Sequence, residues 1–264
     1  MPSRFACTLI SLATLTLAAC ATQPPADGSY TRFMQLAADL EKRGDMATAA
    51  GLYDKATQQP EAQLDAWLKL GETRLAAGDA RGAERAYQQG LELKPQSAAA
   101  LLGLGTAQLR QGKFDRAVTA LTQASAQSSE PAVKPEAFNR LGIAQILRGQ
   151  ADAAQAAFSN SLALTPNDLD TQCNLALAYA LGNKPQQALD TIQAVNQSPR
   201  ALPRHQRNEL LITVLTGDKA RLQALSLDDI PSAERQKLIT EARRIKAIKD
   251  PQAQARELGL IDTH

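Results

Sequence analysis

LDAWLKLGETRLAAGDARGAERAYQQGLELKPQS, residues 64–97, decides the fold. Trp67, Leu70, Gly71 and Leu75 share one face of a first helix, and Ala83, Tyr87 and Gly90 recur at i, i+4 and i+7 on a second. Gly78-Asp79 separates the two, because glycine enters the left-handed conformation that ends a helix at no steric cost. Pro95 closes the unit. Gly71 and Ala83 are small, which lets the paired helices approach closely. Trp67 and Tyr87 carry more apolar area than one hairpin can cover, so stacked neighbours must complete the core.

Those neighbours are in the chain. The small residue of the first helix recurs as Ala37, Gly71, Gly105, Gly142 and Ala176, at spacings of 34, 34, 37 and 34. The small residue of the second helix recurs with the same spacings as Ala49, Ala83, Ala117, Ala154 and Ala188. A large residue follows as Tyr53, Tyr87, Leu121, Phe158 and Ile192, and turns fall at Gly44-Asp45, Gly78-Asp79, Gly112-Lys113, Gly149-Gln150 and Gly182-Asn183. All the series share the three extra residues near Ala132 and Lys134. An all-α solenoid is expected, with repeats at 30–63, 64–97, 98–131, 135–168 and 169–202. Residues 203–264 hold a degenerate repeat, with a first helix over 204–216, and a capping helix over 232–249. Ser232 is the expected cap of that last helix, and Leu238, Ile239, Ala242, Ile245 and Ile248 form its apolar face.

The unit resembles the tetratricopeptide repeat. Trp67-x2-Leu70-Gly71, Ala83-x3-Tyr87 and Pro95 fall at that repeat's spacing, with Arg74 where its first-helix tyrosine stands. The resemblance implies a solenoid whose first helices line a concave face through positions 2, 5, 9, 12 and 13 of each repeat. In repeats three to five, the residues at or beside these positions include Leu102, Thr106, Leu109, Asn139, Ile143, Ile146, Asn174, Leu177 and Leu181. Apolar side chains turned away from the packing face point to a groove for an amphipathic segment of a partner. Some repeats of this family grip a carboxylate with Lys at position 5 and Asn at position 9. Here those positions hold Leu68, Leu102, Asn139 and Cys173, then Glu72, Thr106, Ile143 and Leu177, so that activity does not carry over.

Ahead of the repeats, Arg4 is followed by an apolar run over 5–17 and then by Leu17-Ala18-Ala19-Cys20. The run is too short to span a bilayer comfortably and reads as a cleaved signal over 1–19. Leu-Ala-Ala-Cys resembles the bacterial lipobox, which implies lipidation of Cys20 after cleavage. Residues 20–29, with Pro24-Pro25 and Gly28, read as a tether. Ala21 and Thr22 stand where an Asp would favour the inner membrane in lipoproteins of this kind, so the expected location is the periplasmic face of the outer membrane. Once Cys7 leaves and Cys20 is lipidated, Cys173 is alone, and no intramolecular disulfide can form.

Composition agrees with thin helical layers: the chain is 44% hydrophobic but only 4% aromatic. A formal net charge of +2 supplies no field for nucleic acid. The two histidines are His205 and His264, and no nucleophile elbow, phosphate loop or zinc-protease motif occurs. Gly103-Leu104-Gly105 opens like a dinucleotide fingerprint, but Gln108 breaks it. The expectation is no enzyme activity, cofactor, metal or small-molecule substrate, and a protein partner instead.

A lipobox, a tether and five or six such repeats resemble bacterial tetratricopeptide lipoproteins, and in layout the TadD family of the tight-adherence (Flp) pilus system. That resemblance implies an adaptor, of the pilotin kind, that helps a pilus secretin reach or assemble in the outer membrane. Two alternatives share the layout: a scaffold docking peptidoglycan enzymes, and a pilotin of type IVa pili.

Overall fold

Gly44, Gly78, Gly112 and Gly149 occupy the left-handed region, with φ of 82°, 82°, 72° and 74°. After the first two, Asp45 and Asp79 start the next helix by accepting hydrogen bonds from Thr48 N–H at 3.1 Å and Gly82 N–H at 2.8 Å. The computed structural model describes residues 28–127, 131–225 and 230–258. Five hairpins come first: α1 (Gly28–Lys42) with α2 (Met46–Thr57), α3 (Leu64–Ala76) with α4 (Ala80–Leu93), α5 (Ala98–Arg110) with α6 (Phe114–Gln127), α7 (Val133–Leu147) with α8 (Ala151–Leu164), and α9 (Leu169–Leu181) with α10 (Pro185–Asn196). Two shortened pairs follow, α11 (Pro203–Thr216) with α12 (Lys219–Ala224) and α13 (Ser232–Lys246) with α14 (Pro251–Glu257). No strand occurs among the described residues. The all-α solenoid with a C-terminal cap is thus the observed fold.

The signal segment and Cys20 lie outside the described residues. Of the residues expected in the tether, 20–27 also lie outside the described residues, and Gly28 and Ser29 belong to α1, where Ser29 Oγ donates to Gln59 Oε1 at 2.7 Å. At the other end, Pro231 precedes α13 as its boundary residue, and Ser232 is the first helical residue rather than the cap. That helix stops at Lys246, which leaves Ile248 half-buried beyond it.

The small first-helix residues act as sockets for large side chains of the second helix. A Cβ on Gly71 would stand 2.5 Å from Tyr87 Cζ, one on Gly105 2.5 Å from Leu121 Cγ, and one on Gly142 2.5 Å from Phe158 Cε1. Tyr87 also presses on Gly103 of the next repeat, so its ring is held between glycines of two repeats. Gly103, singled out in the sequence only as the start of a broken dinucleotide fingerprint, is therefore the second half of the Tyr87 socket. Ala83, Ala117, Ala154, Ala176 and Ala188 are fully buried, and Trp67 is half-buried against the cluster around Tyr53 and Leu70.

The last full turn differs from expectation. Gly182 has an ordinary φ of −82°, and Asn183 takes the left-handed conformation with φ 57°. Asparagine tolerates that region because its short polar side chain bonds locally. With Asn183 and Gly217, the left-handed positions run 44, 78, 112, 149, 183 and 217. A sixth repeat is therefore in register. Leu210 stands where its small residue would be, and its second helix, α12, has only six residues.

First helices touch one another in a row, α3 to α5, α5 to α7, α7 to α9 and α9 to α11, and this row forms the inside of the curve. Ion pairs stitch each repeat to the one before: Arg74 to Asp54 at 2.9 Å, Lys113 to Glu84 at 2.6 Å, Arg148 to Asp115 at 2.8 Å and Lys184 to Asp152 at 2.8 Å. Burial would raise the Glu84 carboxyl, but bonds from Lys113 and Gln111 outweigh it and hold the group below its usual value.

Candidate functional site

The 34-residue period puts one side chain per repeat at the same place on the concave face. At the fifth position this gives Met34, Leu68 and Leu102 from α1, α3 and α5, all half-buried. Around this row Thr106 and Leu75 are half-buried, Glu72 and Arg110 are exposed, and Lys69 bonds Glu72 at 2.9 Å and Glu41 at 3.5 Å. Thr106 turns its hydroxyl back to Leu102 O at 2.8 Å, which leaves the surface there apolar. Met34 was missed by sequence reading, which began the groove at the third repeat. Counting back two periods from Leu102 finds it.

The C-terminal half of this face is not an open groove. Leu109, Ile143, Ile146 and Leu177 are only 4%, 3%, 1% and 6% exposed, and they share one continuous core with Ile245 of α13 and Ala255 of α14. The expectation of solvent-facing docking residues fails for these four. The curve of the solenoid brings successive first helices together, and the C-terminal arm then packs over them: α13 lies on α11, and α14 on α7. Leu181 is half-buried beside Pro251 and Gln254 of α14.

Asn139 and Asn174 were expected to offer polar groups to a partner. Instead Asn174 Nδ2 donates to Asn139 Oδ1 at 3.2 Å, and Asn139 is 6% exposed. Beyond them Leu202 N–H donates to His205 Nδ1 at 3.0 Å, which leaves His205 Nε2 to donate to Asp170 Oδ1 at 3.1 Å. Arg204 adds two bonds to the same carboxylate, at 3.0 and 2.9 Å, and holds the Asp170 carboxyl below its usual value against the opposing effect of burial. Cys173 lies behind this edge, and burial pushes its thiol up to about 12, so it is a packed residue rather than a nucleophile.

Among the described residues no group of His, Cys, Asp and Glu side chains is placed to hold a metal ion. No described helix is long and apolar enough to cross a membrane. The arrangement that remains is a curved, half-apolar surface with charged margins, which suits the burial of another protein's side chains.

Comparison with known proteins agrees with this geometry. Residues 33–141 match the family described as the Cilia and flagella-associated protein 70 middle TPR-like domain. The chain is 30% identical over 238 residues to Cellulose synthase operon protein C of Xanthomonas axonopodis pv. citri (strain 306). That match takes in 87% of this chain but only 15% of the longer protein. Among solved structures, Pseudomonas aeruginosa PilF superposes with a TM-score of 0.65 at 20% identity, covering 82% of this chain and 99% of that one. PilW, described as a widely conserved type IV pilus biogenesis factor, superposes with a TM-score of 0.66 at 21% identity, covering 80% and 98%. The fold is that of a tetratricopeptide-repeat protein.

Proposed function

We propose that the chain is a non-enzymatic protein-binding adaptor, held by lipid on Cys20 at the periplasmic face of the outer membrane, which assists the assembly of a pilus secretin. The observation that carries this reading is the row Met34, Leu68 and Leu102. Three large apolar side chains stand half-buried, each with part of its surface open, at one register of successive first helices. An amphipathic segment laid along such a row gains about 1.5–3 kcal/mol for each large side chain it buries fully, before ordering costs. The Leu17-Ala18-Ala19-Cys20 run supports the anchor. Likeness in fold to PilF and PilW supports a place in pilus assembly. The order of signal, lipidated cysteine, tether and repeats supports the tight-adherence system in particular. PilW's description as a type IV pilus factor favours a second reading, a type IVa pilotin.

One experiment separates these. The tagged full-length protein, Cys20→Ala, and Leu68→Glu with Leu102→Glu are each expressed in a pilus-bearing cell, and the envelope is fractionated. The wild type is expected in the outer membrane with the tight-adherence secretin. Cys20→Ala should move to the soluble fraction, and the double variant should lose the secretin while keeping its helical circular dichroism. Capture of the type IVa secretin selects the second reading, and capture of peptidoglycan hydrolases alone overturns both.

A further inference from the structure

The closed half of the concave face has an occupant from the chain itself. Helix α14 is seven residues long, far below the length at which a helix persists alone in water, so its order comes from its seat. Pro251 rests on the Gly149 turn, with its Cβ 3.0 Å from where a Gly149 Cβ would stand. Ala255 is fully buried, and the Arg256 guanidinium lies 5.8 Å from the centre of the Phe114 ring. The polar bonds of α14 are made within the arm, Gln254 Nε2 to Ile245 O at 3.2 Å and Glu257 to Arg244 at 2.7 Å. Its fit is incomplete. A cavity of about 70 Å³ remains between Ile146, Gly149, Ala151 and Leu181 of the solenoid and Pro251 and Gln254 of the arm. Two of the seat residues, Ile146 and Leu181, are large aliphatics, and α14 answers them across this cavity with Pro251 and a glutamine, Gln254.

We propose that the surface under α14 is a binding site for a short amphipathic helix of a partner, and that α14 is its exchangeable internal occupant. The chemistry of the ligand is written in the occupant: compact and apolar where Pro251 and the buried Ala255 sit, and an arginine one residue beyond Ala255 to lie over Phe114. A helix that brings a branched aliphatic side chain where Gln254 stands fills the cavity and outcompetes α14. The inference rests on the reading of the concave face as a protein-binding surface, and extends that surface from the open row into the covered half. The internal copy acts as a gate, since a tethered segment competes at high effective concentration with any free one.

The test needs no knowledge of the natural partner. A fluorescent peptide with the sequence of residues 249–258, and a second carrying the Gln254→Leu change, are titrated by anisotropy into the full-length wild type and into Ala255→Glu. Glutamate at the buried 255 position should eject the internal helix. The expected result is at least about ten-fold tighter peptide binding to Ala255→Glu than to wild type, and tighter binding of the leucine peptide than of the native one. Equal binding to both proteins overturns the proposal, as does no binding to an Ala255→Glu protein of wild-type helical content. If Ala255→Glu loses helical content, a chain ending at Lys249 takes its place under the same criteria. Peptide binding with no secretin capture would leave the site standing and sink only the pilus reading.

Discussion

At the scale of single residues, the repeat works by matching a missing side chain to a large one. Gly142 is buried under Phe158, whose Cε1 and Cζ lie 2.5 and 2.6 Å from where an added Cβ would sit. Gly142→Ala should therefore cost about 1–3 kcal/mol through overpacking. Adding Phe158→Leu should recover part of that loss, a non-additivity that chemical denaturation of the two single variants and the double one would measure. Strict additivity would mean that the glycine and the ring do not share a socket. The same scale explains why Ile143 is a poor reporter of binding. At 3% exposure it belongs to the core, and a charge there would unfold the repeat before it tested any partner.

At the scale of elements, helices and turns were legible because each boundary has a local chemical cause. Asp45, Asp79, Asp168, Asp218 and Asp250 all accept from backbone N–H groups at the start of a helix, and an acceptor before an apolar-periodic run can be read directly. The fifth turn was misplaced by one residue because Gly182 and Asn183 both tolerate a turn, and only register with the neighbouring repeats selects Asn183. Its φ of 57° leads to a specific expectation. Asn183→Val should destabilise by about 1–2 kcal/mol, while Asn183→Gly should be neutral or slightly stabilising. Thermal melts of the two variants check it, and equal melting temperatures would refute the left-handed assignment. The short α12 and the helix α13 were legible, whereas α14 was not read from the sequence at all, although Asp250 and Pro251 mark its start. The helical pattern of all three is local, but the place where α14 docks is not.

At the scale of the whole molecule, the core is uneven. One cluster runs without a break from Leu109 through repeats four and five to Ile245 and Ala255, whereas the first two repeats rest on the small clusters around Tyr53 and Tyr87. In a solenoid, stability is a sum of repeat and nearest-neighbour terms, so this unevenness should appear as a gradient. Amides in α1 and α2 should exchange with solvent faster than those in α7 and α9 by about a factor of ten or more, a gap of roughly 1.4 kcal/mol. Native-state hydrogen exchange would show it, and uniform protection from α1 to α9 would mean that the chain opens only as one unit. The gradient bears on function because Met34 and Leu68 of the open row sit on the small clusters, while Leu102 packs at the edge of the large one, so a partner laid along the row would span both.

The amino-acid sequence alone determined the hairpin, its period, the first four turns and the sockets at Gly71, Gly105 and Gly142. Each of these depends on side-chain size, helical periodicity or backbone freedom within a few tens of residues. It also named a concave set of residues, because the period assigns every side chain a face. Tertiary structure alone decided which of those faces remain open. Ile146 and Leu181 are apolar at groove positions whether or not anything covers them, and the covering helix α14 is about a hundred residues away from α7 in the chain. Its docking depends on the accumulated curve of the solenoid, which no local pattern records. Gly103 is hidden for the same reason, since its requirement comes from Tyr87 in the preceding repeat, a contact that exists only once the two repeats are stacked.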